Sequence, residues 1–129
     1  MKFTGFIKEY DNNIPGTAVS ELLSAGFTAD DKSKIVDYLK NGKPFVGIME
    51  MQHDLFDNEV IGPCEYRTDG VYVWPGYYQF YVNKYSDCYI DEEFARHFSS
   101  NSEVDINLSE SDLKAIEQEF MLYWCGKLK

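Results

Sequence analysis

Histidine, paired cysteines and positive charge are all scarce in this chain. His53 and His97 are the two histidines, and Cys64, Cys88 and Cys125 are an odd set at wide spacing. Zinc sites draw on paired Cys or His, and a disulfide framework cannot use an odd number of thiols, so neither is expected. Free thiols suit a reducing compartment, which makes cytoplasm the expected location. No GxGxxG or GxxxxGK[ST] string occurs, which removes the motif support for dinucleotide or P-loop chemistry. Glu9 interrupts the opening segment where a secretory signal needs its apolar stretch. The longest apolar runs, residues 45–49 and 120–125, are far too short to span a bilayer. No repeat, low-complexity tract or Pro/Ser-rich linker offers a boundary, so residues 1–129 read as a single domain.

What the chain has in quantity is aromatic side chains and acid. Nine Phe, ten Tyr and two Trp supply the contact area for a core. The net charge of −10 is unevenly placed. Residues 1–49 hold six acids and six bases, whereas residues 50–129 hold sixteen acids against six bases. The densest stretch, residues 87–119, carries ten acids opposed only by Arg96 and Lys114. Such a field repels phosphate backbones and anionic lipid, which disfavours nucleic acid and membrane surfaces as partners. It favours a basic protein, because complementary charge speeds encounter and selects partners.

The order of local signals implies helices, then a sheet, then helices. Thr17 reads as the N-cap of a short helix with Val19, Leu22 and Leu23 on one face and Gly26 behind it. Asp30 and Asp31 open a second helix with Ile35, Val36, Tyr38 and Leu39 inward, and Asn41-Gly42 supplies a left-handed stop. Residues 45–51 read as a buried strand, and residues 53–58 as a polar turn. Asp69-Gly70 lies between two β-prone tetrads, the chemistry of a two-residue hairpin turn. Alternation then puts Val71 and Val73 on one face and Tyr72 and Trp74 on the other. Pro75 closes the strand before an aromatic helix through Tyr77, Tyr78, Phe80, Tyr81, Val82 and Tyr85. Asp91 caps a further helix carrying Glu92, Glu93, Phe94 and Phe98, and Ser109 or Ser111 caps the last. The segregated order is that of an α+β fold, a small antiparallel sheet of three or four strands with helices packed before and after it.

No constellation reads as catalytic. His53, Asp54 and Asp57, with Glu50 and Glu59 nearby, match neither zinc nor EF-hand spacing and read as a solvated loop. No cysteine adjoins a histidine in a nucleophile pattern, Cys125 falls on an apolar helix, and Cys64 beside Pro63 is a candidate for exposure. No cofactor is expected. The aromatic cluster of residues 72–85 holds Lys84 as its only base, which argues against base stacking. Most of these rings belong in a core, with Tyr77 and Tyr81, four apart on one helix face, as candidates for partial exposure at an interface.

The string Thr68-Asp69-Gly70-Val71-Tyr72-Val73-Trp74-Pro75, followed by Tyr78, Tyr81-Val82 and Tyr85, and then by Glu93-Phe94 and His97, resembles a pattern in small bacterial proteins. There a TDG-x-[WY]-x-W-[PS] hairpin leads into a YYV-x-x-Y helix. The resemblance covers roughly residues 35–98, and several such proteins look like immunity proteins of polymorphic-toxin systems. In this reading Asp69, Gly70, Trp74 and Pro75 do structural work. Together with the asymmetric charge, the aromatic surplus and the missing catalytic constellation, the resemblance points to a non-enzymatic inhibitor that docks on a basic partner, a toxin among the candidates. Its expected contacts are Asp87, Asp91, Glu92, Glu93, Tyr77 and Tyr81. The alternative is a module that self-associates as a homodimer through the aromatic helix.

Overall fold

Turn chemistry at residues 68–72 organises the centre of the molecule. The computed structural model describes residues 2–22, 32–85, 88–101 and 106–126. Its elements are Lys2–Phe3 (β1), Val19–Leu22 (α1), Lys32–Asn41 (α2), Lys43–His53 (β2), Val60–Thr68 (β3), Tyr72–Pro75 (β4), Tyr77–Lys84 (α3), Glu92–Asn101 (α4) and Glu110–Trp124 (α5). The four strands form one sheet in the order β1-β4-β3-β2. β2, β3 and β4 run antiparallel, and β1 joins β4 in parallel, so the sheet is mixed rather than wholly antiparallel. The fold class is α+β, as the order of local signals implies.

The hairpin forms one residue later than the tetrads suggest. Thr68 pairs with Val73, so the corners are Gly70 and Val71 rather than Asp69 and Gly70. Only the first corner needs positive φ, and Gly70 supplies it at +100°. Asp69 stands beside the corner instead. Its Oδ1 accepts the amides of Val71 (2.9 Å) and Tyr72 (2.8 Å). An aspartate that satisfies the backbone two and three residues on can flank a turn as well as occupy it.

Alternation along β4 holds for Tyr72, Val73 and Trp74, whereas Val71 is an exposed turn corner and does not share the buried face of Val73; both sheet faces are covered. Tyr72 and Trp74 join a cluster with Ile35 and Leu39 of α2, Tyr77 and Tyr81 of α3, and Phe94 and Phe98 of α4. Val73 joins Phe6, Tyr66 and Phe120, where α5 packs. β4 is therefore buried along its whole length. β2 is not. It is the sheet edge and largely exposed, which corrects the reading of residues 45–51 as a buried strand. An apolar run by itself does not distinguish a central strand from an edge.

Helix ends follow sequence chemistry unevenly. Ser109 caps α5 through a capping box with Asp112, each bond 3.1 Å. Asp91 receives the Glu93 amide ahead of α4. Thr17 is no cap: it bridges Ile7, and Glu9 accepts the Val19 amide that opens α1. Leu23, Gly26, Asp30 and Asp31 lie outside the described residues. The stop after α2 is tertiary, since neither Asn41 nor Gly42 has positive φ. Arg67, steadied by Glu65, donates to the carbonyls of Lys40 (2.8 Å) and Gly42 (2.9 Å). The Trp74 indole donates to Leu39 (3.1 Å). Helix-end carbonyls need donors, and β3 and β4 provide them.

Gly42 is present for space. A Cβ there would lie 2.3 Å from Trp74 Cζ2, against 3.9 Å to the nearest atom at Gly47. Gly42→Ala is expected to cost about 1–3 kcal/mol by overpacking. Gly47→Ala should stay within about 0.5 kcal/mol of wild type, as surface changes usually do. Urea denaturation checks both, and equal costs would contradict the Trp74 contact.

Candidate functional site

Buried acids in this molecule are served by tyrosine hydroxyls. Asp11 is buried and accepts Tyr66 Oη at 2.6 Å and Tyr77 Oη at 2.8 Å. Asp69 Oδ2 accepts Tyr38 Oη at 2.5 Å and His97 Nε2 at 2.6 Å, joining the hairpin to α2 and α4. Burial by itself would raise the Asp69 carboxyl. The bonds from Tyr38, the turn amides and His97 outweigh it and hold the pKa below the ordinary value. For Asp11 burial wins over its donors, and the pKa is raised.

The hairpin between β2 and β3 is organised by Lys84 of α3. Its ammonium donates to Asp54 (2.8 Å), Asp57 (2.5 Å) and Glu59 (3.0 Å), and Tyr85 Oη donates to the same Asp54 oxygen (2.7 Å). Asp54 also accepts the Phe56 amide at 2.7 Å, and Asn58 turns the chain at φ +64°. The acids of this loop are thus tethered to α3, which the reading of a simple solvated loop missed. Burial pushes the Asp54 carboxyl up, but the bonds from Lys84, Tyr85 and Phe56 more than offset it, and its pKa is lowered.

The β2–β3 ladder breaks beside this loop. Ile48 pairs with Cys64 and Met51 with Pro63, so Met49 and Glu50 have no counterparts on β3. Pro63 has no N–H to donate, and a bulge on the facing strand accommodates that loss. The extruded Met49 is fully exposed. Met51, Leu55, Phe56 and Val60 are exposed as well, so five of the eight large exposed apolar residues among those described lie within residues 49–60. All five fall on the β2–β3 hairpin. Behind the bulge a cleft of about 750 Å³ runs between β2 and the loop at residues 9–14, with Asp11, Cys64, Tyr66 and Trp124 among its lining.

The sequence-predicted contacts fare differently. Tyr77 and Tyr81 are buried, not partly exposed. The face of α3 that carries them turns to the core, where Tyr77 reaches Asp11 and the Ile7 amide, and Tyr81 meets Tyr10 (2.9 Å) and the Leu55 amide (3.1 Å). Asp91 is half-buried and occupied as a helix cap, Glu92 is exposed, and exposed Glu93 pairs with Lys2 at 2.5 Å. Asp87 lies outside the described residues. Asp69 bonds the turn amides, Gly70 forms the hairpin corner, and Trp74 and Pro75 are buried. The hairpin patch was missed, although Gly62-Pro63 opposite an apolar strand is the signal that could have found it.

The cysteine expectations invert. Cys64 is buried and Cys125 exposed. Burial pushes the Cys64 thiol up, and it donates to Tyr66 Oη at 3.6 Å, so it lacks the stabilised thiolate that a nucleophile needs. His53 lines the same cleft, but its backbone carbonyl is what Tyr10 engages. Among the described residues no His, Cys, Asp and Glu group is arranged to hold a metal ion, and no helix is long and apolar enough to cross a membrane. No family model matches the chain, and neither curated proteins nor solved structures offer a match.

Two outcomes are expected. In native protein a maleimide should label Cys125 and spare Cys64 and Cys88, with all three reacting in denaturant; mass spectrometry of digested adducts checks the sites. The lowered Asp54 carboxyl contributes stability above the ordinary carboxylate range, lost as pH falls through its folded value. Asp54→Asn should therefore lower the urea midpoint clearly at about pH 7, and the gap to wild type should shrink at about pH 3.

Proposed function

We propose that this chain is a non-enzymatic binding protein of the immunity type, which docks on a basic protein through the β2–β3 hairpin. The observation that carries the reading is the bulge opposite Pro63, which displays Met49 and Glu50 beside Met51 on an edge strand, with Leu55 and Phe56 exposed in the turn that follows. Apolar side chains give such a patch its desolvation energy, and the surrounding carboxylates, with an overall charge of −10, select a cationic partner. The hydrogen-bonding edge of β2 is open to an added strand, a common mode of recognition. The contact surface moves from the acids of α4 to the hairpin, because α3 has no exposed rings at Tyr77 and Tyr81 to anchor the earlier placement. Glu92 and Glu93 contribute to the long-range field.

Self-association remains the competing reading, now through the β2 edge instead of the aromatic helix. Two acidic hairpins brought together would repel, so a basic partner fits better. Sedimentation distinguishes them, since self-association gives a mass that rises with concentration.

The discriminating experiment pairs the chain with the protein encoded directly upstream. That protein should arrest growth when expressed alone, and coexpression of this chain should restore it. Met49→Asp with Phe56→Asp should weaken the purified complex by about tenfold or more, as loss of interface anchors does. Leu122→Asp, an exposed change on α5, should leave it intact. A harmless neighbour, or a complex indifferent to the hairpin variants, overturns the reading.

A further inference from the structure

We infer that the cleft behind the β2 bulge receives an arginine side chain of the docked partner, with the guanidinium held between Glu50 at the mouth and Asp11 at the floor. The inference rests on the docking reading above and supplies the chemistry of its central contact.

The cleft, at about 750 Å³, has ample room for one long side chain. No Lys or Arg lines it, whereas Glu9, Asp11, Glu50 and Asp54 do. Three of those acids already have partners. Glu9 holds the Val19 amide, and Asp54 is taken by Lys84 and Tyr85. Glu50 has no hydrogen-bond or ion-pair partner among the described residues. Asp11 accepts one hydroxyl on each oxygen, with the Trp124 indole nearby as a third donor, which leaves the carboxylate one acceptor position of its four. Burial also raises the Asp11 carboxyl, so its ionised form stands in want of a countercharge, and an incoming cation provides it.

Shape selects guanidinium over a compact ammonium. The walls include the half-buried ring of Trp124, whose indole donates to the hydroxyl of buried Tyr66 at 3.3 Å, and the apolar chains of Ile48 and Met51. A planar guanidinium stacks on aromatic faces and donates from several N–H groups at once, while its methylene stem covers apolar surface. The cleft is continuous with the docking patch, because Met51, Leu55 and Phe56 belong to both. That continuity makes the occupant a side chain of the docked protein.

The test is nitrogen-15 NMR of the full chain titrated with N-acetyl-arginine methylamide, its neutral citrulline counterpart and its lysine counterpart. The arginine probe should move the Trp124 indole and the Asp11 and Glu50 amides, leaving the indole of buried Trp74 in place; the other two probes should do much less. Glu50→Gln should weaken the arginine response about threefold, the scale of one exposed ion pair, in a spectrum that is otherwise folded. No response to arginine, or equal responses to arginine and either comparison probe, overturns the inference. If the hairpin variants abolish a genuine complex while the cleft ignores arginine, only the cleft assignment falls. An arginine-selective cleft in a chain whose upstream neighbour does not bind overturns the partner instead.

Discussion

A carboxylate taken out of water must find donors, and this fold meets that demand with tyrosine. Asp11 uses Tyr66 and Tyr77, Asp69 uses Tyr38, and Asp54 uses Tyr85 beside Lys84. Each pair ties together segments distant in the chain: the loop at residues 9–14 to β3 and α3, the hairpin corner to α2, and the β2–β3 loop to the end of α3. The rings fill the core while their hydroxyls satisfy the acids, so one residue type answers two costs of burial. This explains why a core so rich in tyrosine leaves little aromatic surface for contact.

The consequence is a change in where recognition can happen. With Tyr77 and Tyr81 of α3 committed to the interior, most of the large exposed apolar residues among those described lie on the β2–β3 hairpin, and Met49 is pushed outward where Pro63 interrupts the ladder. Lys84 holds the loop at its far end by three carboxylates, so the patch is presented on a braced hairpin. A braced surface loses less conformational entropy on docking than a loose one. The same bulge brings Glu50 to the mouth of the cleft, which places charge and apolar area side by side.

Acidity is divided among several tasks. Asp91, Asp112 and Asp69 satisfy backbone amides, Glu65 steadies Arg67, and Glu93 meets Lys2. Among the described residues these assignments leave Asp37, Glu50, Glu92 and Glu110 as exposed acids with little structural duty. Net charge therefore says which sign of partner is favoured. It says nothing of which carboxylate touches it.

Local chemistry was legible wherever neighbours in sequence are the physical partners. The capping box at Ser109, the Asp91 cap, the aromatic helix after Pro75 and the two-faced alternation of Tyr72, Val73 and Trp74 all depend on contacts within a few residues, and pattern alone determined them. The hairpin near Asp69-Gly70 was legible too, to within one residue, because Asp69 can serve the turn from either position. Tertiary structure decided the rest. Gly42 is shaped by Trp74, Cys64 is covered by strands and helix from elsewhere, and β2 is an edge because among the described residues β3 is its one paired strand. Those outcomes depend on which surfaces meet across the sheet, and periodicity along one strand carries no record of that.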